Sequence, residues 1–463
     1  MSGLFASLNS SVKALNAHSR AIETTGKNLA NVNNPDYARQ RVVYGDRGTV
    51  QTPQGAQSLG LEVLAVQQVR DSLVDRQLQR ELSLGGSYTA EQSAYQRAQA
   101  ALGETIDRAS ETDTGIGAAM DDLFGAFQSL SSRPTDAGER ASLLQKASIL
   151  TDRFELADTR LAQVQADLNA QVATDVDDVN RLLETIAELN TQIGRFEITQ
   201  PGSAVDLRDQ RQARIEELAG KINFNLVDSG NGQVNIVVKD SASANVVLLD
   251  RGVVTAPVTF DGTALSGGSP AATLAPASGS IQGALAARDG AVQNLRDDLD
   301  RLASQIVTSV NAAYNPTGLT GNFFAAAGLT AGTIALDSTL SATSLKASDG
   351  GAAGDNSVAL AVAALSGRKF STAAGDAFDG TLGGFYSQTV ASLGQALAGA
   401  NARAEDQTAI TNLVRGQRDS VSGVSLDEEL ADLTRFQRAF QASSRVFSIV
   451  DNLLDEVVNR LGR

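Results

Sequence analysis

Side chains able to do chemistry are few in these 463 residues and poorly grouped for it. There is one histidine, His18, and no cysteine, so imidazole relays, thiolate nucleophiles, thiolate metal sites and disulfides have nothing to be built from. His18 stands alone, three residues after Leu15 in a helical pattern, where packing or solvent is the expected fate. Ser10 with Lys13, and Ser366 with Lys369, have the Ser-x-x-Lys spacing of serine acyl enzymes but lack the accompanying motifs. Thr25-Gly26-Lys27 ends like a phosphate loop, yet Ala21 stands where the first glycine belongs. The acid pairs Asp121-Asp122, Asp177-Asp178 and Asp297-Asp298 fall in helical stretches, where solvated faces are the ordinary outcome. Loops near Asp349 and Asp355 lack the ligand spacing of a calcium loop. The residues thus predict no catalytic, cofactor or metal site.

The informative spacing is apolar. Leu426, Leu433, Phe440, Phe447, Leu454 and Leu461 recur every seven residues, with Leu430, Phe436, Val450, Val457 and Val458 beside them. Leu8, Leu15, Ile22 and Leu29 repeat that interval at the other end of the chain, flanked by Phe5 and Val12. Each set predicts a helix with one seam that needs a partner helix. On pattern alone the seams fit an intramolecular bundle as well as an assembly surface.

Between the ends, helices are expected from about 71 through Tyr95, Leu102 and Ile106, over Ile116 to Leu130, and from Asp136 to about Ile198. The last would span about 90 Å if unbroken. A further helix is expected at about 206–221. Alternation then changes to a period of two, with a Gly230-Asn231-Gly232 turn, and Val246 to Leu249 and Val253 to Phe260 extend the sheet. Helix resumes from Ile281 to Ile306, a β-like patch falls at Ile334 to Leu340, and a long Ala-rich helix runs from Leu382 to Val421. Gly423 stops that helix, and Ser425 with Glu428 three residues on has capping-box spacing, so a helix joint is expected there.

The expected fold class is mainly α with a small β insertion: elongated and multidomain, with a discontinuous helical body and terminal coiled-coil helices from both chain ends. The divisions are 1–50 with 425–463, a body of 51–222 with 279–424, and a β domain of 223–278. The net charge, 38 basic minus 53 acidic residues or −15, speaks against a nucleic-acid partner. No apolar run reaches a membrane span, and no cleaved signal peptide is visible.

At the joint, Ser422-Gly423-Val424-Ser425-Leu426-Asp427-Glu428-Glu429 followed by Phe436-Gln437-Arg438-Ala439-Phe440-Gln441-Ala442-Ser443-Ser444-Arg445-Val446 resembles the C-terminal signature of the axial proteins of the bacterial flagellum. Asn28-Leu29-Ala30-Asn31-Val32-Asn33-Asn34-Pro35-Asp36-Tyr37 resembles their N-terminal one, departing at Asn34, more often Thr, and Asp36, usually Gly. Gly279-Ser280-Ile281-Gln282-Gly283 and Gly354-Asp355-Asn356 are also similar. The long helical body favours the hook-associated branch, whose members join hook to filament.

That resemblance implies a non-enzymatic structural subunit, exported by the flagellar type III route, with its terminal helices in the inner tube and its β insertion outward. Implied partners are copies of itself in a ring or helical layer, the hook protein, a second hook–filament junction protein and a flagellar export chaperone. The ends are expected to be mobile before assembly, because an unpartnered seamed helix is marginal in water. Competing readings are another axial subunit, flagellin-like or hook-type, and a secreted helical adhesin or effector.

Overall fold

A heptad-spaced face buries itself only against another helix, and in the computed structural model the two chain-end helices meet each other. The structure describes residues 2–46, 49–52, 55–58, 61–103, 115–318, 321–350 and 354–459. The expected positions Ile106 and Leu461 lie outside these. The described chain is mainly helical with small antiparallel sheets. It forms two compact units, Met1–Gly85 with Asp175–Gly279 and Gln407–Arg463, and Gly86–Thr174 with Ser280–Asp406. Among the described residues no helix is long and apolar enough to cross a membrane.

In the first unit α1 (Ser2–Ala30) packs along the last helix. Strand β1 (Gln40–Asp46) then pairs antiparallel with β4 (Leu61–Gln68), and the hairpin β2 (Thr49–Thr52) and β3 (Gly55–Ser58) lies between them in sequence. The two strands make an ordered ribbon, bulged between Val43 and Tyr44. Helix α2 (Ser72–Leu102) begins here and continues into the second unit.

The β insertion follows the C-terminal part of α4 (Ala137–Phe196) and α5 (Val205–Lys221). Strands β5 (Asn225–Gly230), β6 (Gln233–Lys239), β7 (Asn245–Asp250) and β8 (Val253–Val254) form one antiparallel sheet in that order. Ile236, Val238, Val246, Leu248 and Leu249 are its buried face. Val253 to Phe260 does not continue as one strand: β9 (Thr259–Phe260) leaves to join β10 (Leu265–Gly267) and β11 (Ala272–Leu274). Pro257, which has no N–H for a ladder, precedes a switch of partner at Val258. There Asn180 of α4 takes the place of a strand, donating Nδ2 to the Val258 carbonyl and accepting its N–H at Oδ1, both at 2.8 Å. Asn190, ten residues along α4, donates to the carbonyls of Val234 and Arg251. Two asparagines thus fasten the insertion to its helix.

The second unit is built from the rest of α2, α3 (Ile116–Ser132), the N-terminal part of α4, α6 (Ser280–Ala287), α7 (Gln293–Tyr314), α8 (Ser357–Ala363) and the start of α9 (Leu382–Ser422). Phe127, Tyr314, Phe323 and Phe324 stack edge-on or tilted at 5.0–5.4 Å between centroids, all fully buried. The stretch expected as one helix from Ile281 is interrupted by a π turn at Arg288–Val292, where Gly290 leaves helical geometry. Ile334 to Leu340 is not a strand. It is a loop with a single bridge from Leu336 to Phe324, its turns held by Asp337.

Asp136 caps α4 through its Oδ1, which accepts from the Gly138 and Glu139 N–H groups. The Glu139 carboxylate pairs with Arg133, so the reciprocal arm of a capping box is not made. At Gly279 the backbone takes φ +105°, and a Cβ would stand 2.4 Å from the Lys221 carbonyl oxygen. This explains why the Gly-Ser-Ile-Gln-Gly segment begins with glycine. Gly279→Ala should lower the urea-unfolding stability of the chain by about 1–3 kcal/mol. Gly220→Ala, in α5 with open space at its Cβ, should raise it by about 0.5–1 kcal/mol.

Candidate assembly site: the clasp between the chain ends

The residues that join the two ends are polar and lie at the helix joint. Three residues separate the end of α9 from helix α10 (Leu426–Asn459), whose first turn carries Asp427, Glu428 and Glu429. Acids here suit the positive end of the helix dipole. Glu429, however, is only 2% exposed. A carboxylate so enclosed needs partners on each oxygen, and they come from the other end of the chain. Asn28, also 2% exposed, donates Nδ2 to Glu429 Oε2 at 3.0 Å. Arg39 donates Nε to Glu429 Oε1 and Nη1 to Glu428 Oε2, each at 2.7 Å.

Asn28 is fully satisfied. Its Nδ2 also donates to the Gln40 carbonyl at 2.9 Å, and its Oδ1 accepts from the Gln40 N–H at 3.0 Å and the Tyr37 hydroxyl at 2.8 Å. One asparagine thereby ties the end of α1 to the start of β1 and to α10. The contact sets α1 and α10 antiparallel, the C-terminal turn of one beside the N-terminal turn of the other. Burial first, and then the carboxylates of Asp206, Asp209 and Glu429, push the Tyr37 phenol far above its usual value, so it remains a donor. Burial opposes the Arg39 charge, but Glu429 and Glu428 outweigh it and its pKa stands above the usual one.

The connecting turn is held from the same direction. Asn34 Oδ1 accepts from the Asp36 N–H, an Asx turn, and Asp36 keeps φ outside the left-handed range. The departures from Thr and Gly at these two positions therefore leave the turn intact. Arg418 of α9 donates to the Pro35 carbonyl and grips Glu216 of α5, and the Arg39 N–H donates to the Ser422 carbonyl at 2.8 Å. Arg70 holds Asp209 at 2.6 Å and reaches the Asp36 carbonyl. Burial raises the Asp75 and Asp209 pKa values despite this arginine.

Gly423 stops α9 by close approach: its N–H donates to the Asp419 carbonyl at 2.8 Å, and a Cβ would meet that oxygen at 2.3 Å. Its φ is not left-handed. Ser425 accepts the Glu429 N–H on its carbonyl, while its hydroxyl makes no bond among the described residues. The expected capping box is replaced because Glu428 is drawn across to Arg39.

The seam residues are placed unevenly. Leu8, Leu15, Ile22, Leu29, Leu433 and Phe447 are half-buried, Leu454 is buried, and Leu426 and Phe440 are exposed. Apart from Asn28, the deepest positions of α1 are small ones, Ala17, Ala21, Thr24 and Thr25, which let the neighbouring backbone come close. A second apolar stripe on α10 stays open: Leu430, Val446, Ile449 and Leu453 are exposed, as are Phe5 and Val12 of α1. One member of each acid pair is held by a neighbour, Asp122 by Lys146, Asp178 by Lys221 and Asp298 by Arg301 and Thr389. Asp355 accepts from Ser348 and Ser357. Among the described residues no group of three His, Cys, Asp or Glu side chains could hold a metal ion.

Arg39→Ala, which leaves Glu429 enclosed with only Asn28, should cost about 3–5 kcal/mol by thermal unfolding. Tyr37→Phe, which removes one donor, should cost about 1 kcal/mol. Burial also lowers the pKa of His18 below 6.5, and its Nδ1 is enclosed without a hydrogen-bond partner. A lowered folded pKa means that the neutral ring's contribution is whole above the unfolded value and is lost as pH falls through the folded one. Protection factors along α1, exchange rates corrected for their intrinsic pH dependence, should therefore fall as pH drops below 6.5, and do so less in His18→Gln. Asp75 and Asp209, with raised pKa values, act oppositely: acid relieves the cost of their burial.

Comparison with known proteins bears on this arrangement of ends and body. Residues 104–324 match the family described as "Flagellar hook-associated protein FlgK helical domain", and residues 415–461 match "Flagellar basal body rod FlgEFG protein C-terminal". Flagellar hook-associated protein 1 of Bacillus subtilis is 25% identical over 100% of this chain and 99% of its own length. The protein of that name from Escherichia coli is 23% identical over 98% and 99%. The solved flagellar hook junction protein FlgK from Burkholderia pseudomallei aligns with 54% of this chain and 46% of its own at 20% identity, with a TM-score of 0.45. With relatives matched from end to end and the helical-domain and C-terminal profiles in the expected order, the chain is similar over its whole length to flagellar hook-associated protein 1.

Proposed function

We propose that this chain is a structural subunit of the bacterial flagellum, forming the junction between hook and filament through packing of its N- and C-terminal helices. The observation that carries the reading is the pair α1 and α10: clasped at one end by buried polar contacts, yet with an apolar stripe left open along α10. Two helices cannot enclose the apolar surface of both, and an exposed stripe of this kind marks an interaction surface. Neighbouring copies in a ring or helical layer would cover it.

In this reading 1–50 and 425–463 form the assembly domain, 51–222 and 279–424 the body, and 223–278 an outer β domain. The heptad residues from Leu8 to Leu29 and from Leu426 to Leu461 form the assembly seam, and Gly423, Ser425 and Glu428 its helix joint. The hook protein, a second junction protein and an export chaperone are the partners, and export follows the flagellar type III route. No catalytic activity is assigned.

Immunogold labelling of intact cells with an antibody to residues 223–278 should give one narrow band where hook meets filament. Label along the whole filament would overturn the junction reading in favour of a flagellin-like subunit. Leu433→Asp and Phe440→Asp should keep the helical content of the isolated chain but abolish its incorporation, because a charge is costly to bury in an apolar contact. Normal filaments from both variants would exclude the heptad seam as the assembly surface.

A further inference from the structure

Away from the clasp, still in the first unit, α2 and the start of β5 enclose a cavity of about 370 Å³. Its rim carries Arg76 and Arg80, exposed and one helical turn apart. Arg76 donates Nε to the Ser72 carbonyl of its own helix, and neither guanidinium has an ion pair among the described residues. No acidic residue lines the cavity. Two arginines without a carboxylate partner thus face an acid-free cavity, in a chain with 53 acidic and 38 basic residues.

The interior is polar on one side. Gln79 is 8% exposed, lines the cavity, and makes no hydrogen bond among the described residues. Its amide is open to the cavity and can bond a guest there. The hydroxyls of Ser83 and Ser278, 2.7 Å apart, lie beside it, and Phe224 and Leu226 form an apolar wall. Guanidinium forks at the rim, amide donors at depth and an apolar wall together fit a carboxylate borne on an apolar-flanked peptide segment.

We propose that this cavity receives a carboxylate-bearing segment of a second copy of the chain, as a head-to-tail contact within the layer. The inference rests on the axial-subunit reading. A second copy is favoured because each copy carries 15 more carboxylates than cations and so supplies the missing charge. The cavity has no carboxylate of its own to offer in return. It is not self-complementary, so donor and acceptor are different surfaces, the kind of contact that closes into a ring or propagates as a helix rather than ending at a dimer.

The test places a benzoylphenylalanine photocrosslinker at Leu226 of the full-length chain, in flagellated cells that lack the wild-type copy. Irradiation should give an adduct between two copies, with Asp or Glu in the crosslinked peptide. Arg76→Glu with Arg80→Glu should lower its yield about tenfold or more, as loss of a charge-assisted contact worth at least 1.4 kcal/mol implies, with the thermal unfolding midpoint unchanged. Arg76→Lys with Arg80→Lys should retain part of it. An adduct to a different protein, or one insensitive to charge reversal, overturns the proposal. So does labelling at the junction without a dimer adduct, which leaves the function standing. Absence of the chain from flagella overturns the function and this contact with it.

Discussion

A single buried carboxylate sets the geometry of the chain ends. Glu429 loses most of its hydration at the first turn of α10, and the partners that make this tolerable lie 401 and 390 residues away in sequence. Desolvating a carboxylate costs several kcal/mol unless both oxygens are bonded, so α10 cannot start in this position unless the segment after α1 is also in place. Asn28 extends the dependence to β1 through the Gln40 backbone, and Arg39 extends it to the end of α9 through the Ser422 carbonyl. The joint between α9 and α10 is thus a property of both ends together.

Apolar packing contributes differently. The seams of α1 and α10 face each other, but most of their large side chains are only half-covered, while Ala17, Ala21, Thr24 and Thr25 are deeply buried. Small residues bring helices close and bury little apolar area per contact, at roughly 25 cal/mol per Å². The polar clasp therefore fixes orientation, and the open stripe on α10 holds apolar surface in reserve. Helix stability drawn from packing, where that packing is only half made, suits ends that settle fully in an assembly.

Much of this was legible in the sequence because helices are periodic and local. The bounds of α3, α4, α5, α9 and α10 follow from heptads, glycines and prolines to within a few residues. The β hairpin was legible from Gly230-Asn231-Gly232, whose three residues all take left-handed φ. What the pattern left hidden is long-range. Val253 to Phe260 read as one strand because nothing local reveals that Asn180 would capture the Val258 backbone. Glu429 read as one of three acids at a helix start, yet it stands seven residues before Phe436, on the seam itself. An acid in a seam position was the available signal for a buried partner. Asn28, in a segment notable for its resemblance, gave no local sign of which four groups it would bond.

Separating orientation from adhesion has a consequence for how such a subunit tolerates change. The clasp residues Asn28, Tyr37, Arg39 and Glu429 are bonded to one another, so altering one leaves the others unsatisfied and their effects are coupled. The stripe residues Leu430, Val446, Ile449 and Leu453 touch solvent and answer only to whatever packs on them. One set is constrained by the fold of the single chain, the other by its neighbours. A subunit required to meet unlike surfaces on its two sides can then vary the stripe without disturbing the joint that aims it.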